Sequence, residues 1–298
     1  MTIPQVARPK DPLRLVTHVG FYVLLYFATA AFLFGPLLLW VAGYVAGNVA
    51  ASILCAIFTN WLVLRIYEHL RLVDLGLWWT RASSDNLAFG LLGGIGAASA
   101  VLGPPLLVRA AHFQATPEPG SFGAILFLMV LLAAGAAGEE MFFRGYGFQL
   151  LLVNLGPFAT ILPVGVAFAL LHTFNPNSTW LGIANTAGFG ILFGYAYWRS
   201  RDLWLPIGLH FGWNFTLPLF GVNVSGLRMR VTGHEMAWTA GRLWSGGEYG
   251  PEGSILTSAV LVLLCFYIWK APIRRQHSPI TDPAAENGVC ESSPASES

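Results

Sequence analysis

Residues 124–153 read AILFLMVLLAAGAAGEEMFFRGYGFQLLLV, an apolar run interrupted by two adjacent carboxylates and an arginine. An apolar segment of about 20 residues is long enough to cross the hydrocarbon core of a bilayer as a helix. A charged side chain at that depth costs at least about 2.5–3.5 kcal/mol, so it persists where it pairs, faces a cavity or performs chemistry. The stretch therefore predicts a membrane helix that carries a paired or functional charge cluster.

The composition extends this interpretation to the whole chain. Of its 298 residues, 55% are hydrophobic and 10% are charged, whereas an average soluble domain has about 25% charged residues. The mean hydropathy is +0.60, which leaves too little polar surface for a soluble domain of this size. A net charge of +1 gives no electrostatic attraction to nucleic acid, so nucleic acid is excluded as a partner.

The distribution of apolar segments predicts an all-α, polytopic membrane helix bundle of about eight transmembrane helices over residues 17–270. A cytoplasmic N-terminal segment, 1–16, precedes the bundle. A disordered cytoplasmic tail, 271–298, follows it, because this tail is rich in Pro, Ser and Glu. Residues 222–253 form the one long loop between the predicted spans, which are 17–45, 48–66, 87–110, 121–153, 157–175, 180–198, 203–221 and 254–270.

The distribution of Lys and Arg predicts the orientation. An even number of spans puts both termini on one side, and cytoplasmic loops carry an excess of basic residues. Placing the termini in the cytoplasm leaves only Arg109, Arg228, Arg230 and Arg242 outside. The Ala-, Gly-, Leu- and Trp-rich composition indicates a prokaryote. We therefore expect a multi-pass protein of a prokaryotic cell membrane, with the bilayer itself as a partner.

The charge cluster divides into two parts. Glu140 and Arg144 lie one helical turn apart, so they can pair and offset the cost of their burial. Glu139 is rotated by about 100° from Glu140 and can face a cavity. An apolar setting suits a carboxylate to general acid or base catalysis near neutral pH. A structural ion-pair cluster that joins helices is the alternative interpretation.

Two later spans contain further polar side chains. His172 ends the stretch FALLH, and His210 and Asn214 lie four residues apart in HFGWN. The latter two project from one face of a helix and can donate hydrogen bonds to a developing oxyanion. The alternatives are an interfacial role for His172 and interhelical hydrogen bonds for His210 and Asn214.

A metal site is a further alternative. The chain lacks HExxH, the two-histidine helix of zinc proteases. Zinc accepts histidine nitrogen and carboxylate oxygen, and a catalytic site needs three protein ligands. The candidates are Glu139, His172 and His210, and their spacing neither excludes nor requires zinc.

Taken together, the three clusters resemble the motifs of one family. EEMFFR (139–144) matches EExxxR, FALLH (168–172) matches FxxxH, and HFGWN (210–214) matches HxxxN. In this order the motifs resemble those of the CPBP family, which groups CAAX prenyl endopeptidases of the Ras-converting type with bacterial proteases linked to bacteriocin processing and self-immunity. The resemblance covers a catalytic core at about 120–221.

The resemblance implies an eight-helix membrane bundle and a role for each motif residue. Glu139, with His172, matches the position that activates water, and Glu140 and Arg144 match its supporting pair. His210 and Asn214 match the pair that stabilises the oxyanion. The site is similar to that of a metal-free glutamate protease, which we prefer, and zinc is the alternative. The resemblance also implies a cavity that opens to the cytoplasm.

We therefore expect an intramembrane endopeptidase of the CAAX-processing type, acting on a peptide or protein substrate at the membrane. The alternatives are a non-catalytic immunity or scaffold protein and a proton-coupled transporter, since intramembrane Glu, His and Arg also form proton relays. One difficulty concerns depth. Counting 1.5 Å per residue puts His172 toward the outer end of its span and His210 toward the inner end of its own.

Overall fold

Apolar helices dominate the computed structural model, which describes residues 12–282. Four helical stretches are long and apolar enough to cross a membrane, namely Pro12–Glu68, Arg81–Leu107, Phe122–Leu155 and Pro157–Phe174. The helices are α1 (Pro12–Thr29), α2 (Gly35–Val63), α3 (Arg81–Leu107), α4 (Phe122–Arg144), α5 (Tyr146–Leu155), α6 (Pro157–Leu171), α7 (Trp180–Ser200), α8 (Trp204–Leu219), α9 (Arg242–Ser245) and α10 (Ile255–Lys270). The predicted all-α membrane bundle is confirmed.

The first helical stretch contains two of the predicted spans. A π-helical turn, Ala30–Phe34, joins α1 to α2, and the backbone of α2 leaves helical geometry at Gly43, with φ 74° and ψ −177°. The Tyr26 hydroxyl lies 3.1 Å from the Ser52 Oγ across the two arms. The chain therefore reverses at Gly43, inside the predicted first span rather than between 45 and 48.

Facing glycines bring α3 close to α8. A Cβ atom on Gly212 would lie 2.8 Å from the Leu91 carbonyl oxygen, and one on Gly94 would lie 2.7 Å from the Trp213 nitrogen. Small residues of this kind allow membrane helices to pack backbone against backbone. Because α8 contains His210 and Asn214, this packing fixes the depth of both side chains.

The predicted span 121–153 consists of two helices. Gly145 (φ −74°, ψ −147°) separates α4 from α5. The buried side chain of Asn60 in α2 stabilises the break, because its Nδ2 donates to the Met141 carbonyl (3.0 Å) and its Oδ1 accepts from the Tyr146 N–H (2.9 Å). A hydrogen bond from a distant helix thus replaces part of the helical bonding lost at Gly145.

Helix α6 has 15 residues and is about 22 Å long, which is short of the roughly 30 Å hydrocarbon core. Gly165 of α6 packs against Gly190 in the middle of α7. The helix ends at Leu171, and a 3₁₀ turn, His172–Phe174, follows it. Both His172 and His210 nevertheless come close to the same oxygen, Glu139 Oε2, at 4.0 and 3.8 Å, so the two side chains lie at one depth.

The loops gather at two ends of the bundle. We call the end nearest Pro12 the terminal face, formed by residues 69–80, 201–203 and 271–282. Here Gln276 accepts a hydrogen bond from the Trp78 indole (2.8 Å) and donates one to Asp202 (2.6 Å). Ser278 is fully buried. The predicted disorder is therefore wrong for residues 271–282, whose polar side chains bond to the loops; residues 1–11 and 283–298 lie outside the described part.

We call the opposite end the distal face, formed by residues 108–121, 172–179 and 220–254. Strands β1 (Ala111–Ala115) and β2 (His234–Trp238) pair in antiparallel register, with Phe113 opposite Met236. The 3₁₀ turns Gly247–Tyr249 and Pro251–Gly253 follow α9. The predicted long loop, 222–253, is therefore a folded cap that covers the end of α6.

Candidate active site

The two adjacent glutamates of α4 face different surroundings. Glu140 is fully buried, whereas 34% of the Glu139 side chain is exposed to a cavity of about 380 Å³. Gly138 lies against the Ile53 backbone of α2, where a Cβ atom would be 2.9 Å from the Ile53 Cα. This contact sets the rotation of α4. The predicted division, with Glu139 toward a cavity and Glu140 toward the protein, agrees with these positions.

Glu140 and Arg144 form a completely buried ion pair. The Arg144 Nη1 donates to Glu140 Oε1 at 3.2 Å, and its Nη2 donates to the Gly190 carbonyl at 2.5 Å. The guanidinium carbon lies 5.3 Å from the centre of the Phe168 ring and 5.4 Å from that of Phe193. The Glu140 carboxylate, the Gly190 carbonyl and the faces of two aromatic rings therefore surround the guanidinium of Arg144. They offset the hydration that this charge loses on burial.

His210 connects this ion pair to Glu139. Its Nδ1 lies 3.0 Å from Glu140 Oε1, and its Nε2 lies 3.8 Å from Glu139 Oε2. The imidazole stacks on Phe193, with ring centres 5.0 Å apart and planes inclined by 17°. Since a carboxylate only accepts hydrogen bonds, Glu140 favours an Nδ1–H on His210 and fixes the ring with Nε2 toward Glu139.

His172 approaches Glu139 from the 3₁₀ turn that follows α6. Its Nδ1 lies 2.8 Å from the Phe168 carbonyl oxygen, so this nitrogen is the donor. Its Nε2 lies 4.0 Å from Glu139 Oε2. The two histidines thus present the same ring nitrogen to one carboxylate oxygen.

The structure brings all six predicted site residues to this region. Asn214 lines the same cavity as Glu139 and both histidines, one turn beyond His210 on α8. The order of the helices explains the convergence, because α4, α6 and α8 surround α7, and the glycines of α7 and α8 allow close approach. Which roles the six residues have stays a prediction.

A second carboxylate of the cavity wall, Glu252, was not predicted. Glu252 is 6% exposed; it accepts hydrogen bonds from the Ser225 N–H, from the Ser225 hydroxyl (3.0 Å) and from the Trp213 indole (3.4 Å). Burial raises the pKa of Glu252 above its ordinary value, which its hydrogen bonds and nearby His172 partly oppose. No motif marks this glutamate, and its burial depends on how the cap folds over α8.

Glu139, His172 and His210 are also the candidate ligands of the zinc alternative. Tetrahedral zinc with ligands at 2.0–2.2 Å would bring its donor atoms to about 3.4 Å from one another. The observed separations of 3.8 and 4.0 Å between the imidazoles and Glu139 are wider. Within residues 12–282, no group of three or more His, Cys, Asp or Glu side chains has the spacing of a metal site.

The fold and the site together define a class of protein. An all-α membrane bundle that gathers Glu and His side chains around a cavity within its helices has the architecture of an intramembrane protease.

Residues 119–216, about a third of the chain, match the family described as type II CAAX prenyl endopeptidase Rce1-like. This match supports the CPBP family of CAAX proteases, and the resemblance predicted from the three motifs is confirmed. The matched segment begins just before α4, ends in α8 and contains all six predicted site residues. No curated protein gives a significant match to the chain.

Proposed function

We propose that this protein is an intramembrane endopeptidase in which Glu139 activates a water molecule for attack on a peptide carbonyl. The observation that carries the proposal is the position of Glu139 Oε2, with imidazole nitrogens at 3.8 and 4.0 Å. This oxygen is itself buried and has no direct hydrogen-bond partner among the described residues, so the exposed third of the side chain belongs to its other atoms. Polar groups separated by slightly more than 3.5 Å are often bridged by water.

Exposure distinguishes the two glutamates. A general base must meet both water and substrate; Glu139 is a third exposed to the cavity, while the Glu140 side chain is fully buried. Glu139 therefore takes the proton of the attacking water, and the Nε2 of His172 orients that water. The same Glu139 can then deliver the proton to the leaving amine.

His210 and Asn214 are placed to stabilise the oxyanion. Glu140 fixes the ring of His210 and stabilises a positive charge on it, so Nε2 can donate to the oxygen of the tetrahedral intermediate. The side-chain amide of Asn214 is a second donor on the same helix face. Arg144 does not reach the cavity and acts by holding Glu140 in place.

The test is peptide cleavage by purified protein in detergent with a quenched-fluorescence peptide library. We expect Glu139→Gln to abolish cleavage. Loss of one oxyanion donor typically lowers kcat by about 10²–10³, and we expect that range for Asn214→Ala. The matched control is Glu235→Gln, which changes a partly exposed carboxylate of β2 outside the cavity. Cleavage that survives Glu139→Gln would refute the mechanism.

The same assay distinguishes the alternatives. Loss of cleavage on chelation, restored by zinc, would replace the metal-free mechanism with one in which Glu139, His172 and His210 hold the ion. A folded wild-type protein that cleaves no member of the library would favour the non-catalytic partner or the transporter.

A further inference from the structure

Glu252 lines the same cavity as Glu139, but its carboxylate is bonded to other protein groups. The Ser225 backbone N–H donates to its Oε2, and the Ser225 hydroxyl (3.0 Å) and the Trp213 indole N–H (3.4 Å) donate to its Oε1. The residue is 6% exposed and lies in the cavity wall. One buried carboxylate therefore joins the start of the cap, at Ser225, to helix α8.

The backbone around Glu252 is fixed to two other helices. Asn185 of α7 donates through its Nδ2 to the carbonyls of Glu252 (2.8 Å) and Ser254 (2.9 Å). The Oδ1 of Asn185 accepts a hydrogen bond from the Ser258 hydroxyl of α10 (2.7 Å). Because these bonds join the turn Pro251–Gly253 to α7 and α10, the carboxylate of Glu252 extends from a fixed backbone.

On α8, the carboxylate of Glu252 holds the residue next to Asn214. Trp213 is 2% exposed, and its ring packs on Phe189 of α7 with ring centres 4.7 Å apart. A tryptophan side chain has only two rotatable bonds, so the ring contact and the indole hydrogen bond together fix its position. They thereby fix the rotation of this helix turn and the direction of the Asn214 side chain.

The Ser225 side of Glu252 supports the segment that follows His172. The backbone at Gly226 has φ 82°, and a Cβ atom there would collide with the Pro176 carbonyl oxygen. The two loops are therefore in direct backbone contact. Pro176 lies four residues after His172, just beyond its 3₁₀ turn. Glu252 thus holds, through Ser225 and Gly226, the chain from which His172 extends.

We propose that Glu252 is a positioning residue of the active site. From the distal face it holds the helix turn of Asn214 and the segment that follows His172. Glu140 has the equivalent task for His210, from which it lies 3.0 Å away. Glu252 lies beyond residue 216, where the match to the family ends, so the family's motifs give it no role. The effect on cleavage rests on the proposed function, whereas the coupling of Glu252 to α8 and to the cap does not.

Steady-state kinetics of peptide cleavage in detergent test this role. Glu252→Ala removes all three hydrogen bonds of the carboxylate. A small displacement of a catalytic group can cost about 10² in rate, so we expect kcat to fall by roughly 10–100-fold. KM should stay within about twofold of wild type, because donors that act in the transition state contribute to kcat rather than to substrate binding.

Two further variants separate positioning from substrate contact. Glu252→Gln keeps an oxygen that can accept from Trp213, so it should recover part of the lost kcat. Glu248→Gln changes a carboxylate of the same cap whose side chain is 70% exposed, and it should leave both constants unchanged. A rise in KM with unchanged kcat would show that Glu252 contacts the substrate and would overturn the inference. Unchanged constants for Glu252→Ala would overturn it as well.

A double-mutant cycle tests the connection to α8. Trp213→Phe keeps an aromatic ring against Phe189 and removes the indole N–H. If Glu252 acts through this bond, Glu252→Ala/Trp213→Phe should have nearly the same kcat as Glu252→Ala alone. Residues that share no contact give losses that multiply, and this result would overturn the connection. Should Glu252→Ala fail to fold, Glu252→Gln and Trp213→Phe should each lower kcat at unchanged KM, and wild-type kinetics for both would overturn the inference.

A thiol at position 214 reports the same coupling without a substrate. Cys265 and Cys290 are replaced by serine, and the buried Cys55 is kept. Asn214→Cys is then introduced, and its alkylation by N-ethylmaleimide is followed in detergent. Ser52→Cys in α2, which lines the same cavity, is the matched control.

We expect Glu252→Ala to raise the alkylation rate at position 214 by about tenfold, because local opening of this turn becomes easier. The rate at position 52 should not change. An unchanged rate at position 214, or an equal rise at both positions, would overturn the positioning role. Absence of cleavage by the wild-type protein would refute the proposed peptidase, and the alkylation rates would still decide whether Glu252 holds the helix turn of Asn214.

Discussion

Substituting methionine for Arg144 separates stability from catalysis at this site. The guanidinium is fully buried, 3.2 Å from Glu140 and bonded to the Gly190 carbonyl. Its removal leaves the Glu140 charge buried with His210 as its remaining partner. Breaking a buried ion pair from one side costs about 3–5 kcal/mol. At roughly 2–4 °C per kcal/mol for a chain of comparable size, the melting temperature should fall by roughly 6–20 °C.

The assay is thermal unfolding of the purified protein in one detergent, read by intrinsic tryptophan fluorescence. Glu139→Gln is the matched control, because Glu139 is a third exposed and makes no comparable pair. We expect this variant to melt within about 2 °C of wild type, as substitutions away from buried networks usually do. Both variants should lack peptidase activity, so activity alone would not distinguish them.

The double variant Glu140→Gln/Arg144→Met completes the test. It removes both charges, and replacing a whole buried pair is often far less costly than breaking it. We expect it to melt above Arg144→Met and still lack activity. An unchanged melting temperature for Arg144→Met would refute the ion-pair reasoning. So would an equal decrease in melting temperature for Glu139→Gln.

Three further predictions concern the supports of the site. Gly94→Leu should lower the melting temperature because α3 meets the backbone of α8 there, whereas Gly96→Leu, with open space at its Cβ position, should not; equal effects would contradict the packing argument. Asn60→Leu removes the acceptor of the buried Tyr146 N–H, while the Met141 carbonyl keeps its bond from the Tyr22 hydroxyl; it should cost roughly 1–3 kcal/mol in thermal unfolding, and a wild-type melting temperature would contradict this. Burial raises the pKa of Glu252, with His172 nearby, so the folded state binds this proton more tightly than the unfolded chain. The resulting stability is complete below the unfolded pKa of about 4.3 and is lost as pH rises through the folded pKa; melting curves across this range should decline less for Glu252→Gln than for wild type, and parallel curves would count against the assignment.

Much of the fold was predictable because its determinants are local. The length of the apolar segments sets the number of crossings, and helical spacing alone predicts that Glu140 pairs with Arg144 while Glu139 faces elsewhere. The break at Gly145 was not predicted, since it depends on Asn60, which is distant in sequence. Composition likewise predicted disorder for residues 271–282, whose order comes from bonds such as that of Gln276 to Asp202.

The three motifs predicted which residues meet, but not how the cavity is closed. Motif residues lie on helices whose faces follow from the sequence, and the small residues between them permit close approach. Glu252 lies in a segment whose apolar residues do not recur at helical or strand spacing, and it joins the site through tertiary contacts. Its carboxylate lines the cavity because the cap folds over α8 and brings Glu252 to the Trp213 indole.

The cap is coupled to the oxyanion side of the site through one side chain. Trp213 donates its indole N–H to Glu252 at 3.4 Å, packs on Phe189 with ring centres 4.7 Å apart, and immediately precedes Asn214 on α8. A movement of the cap that admits a peptide would therefore act on the helix turn containing Asn214. Because α3 holds the other side of that turn through Gly94, cap movement would act on the Asn214 donor while the packing of α3 on α8 keeps His210 at its depth.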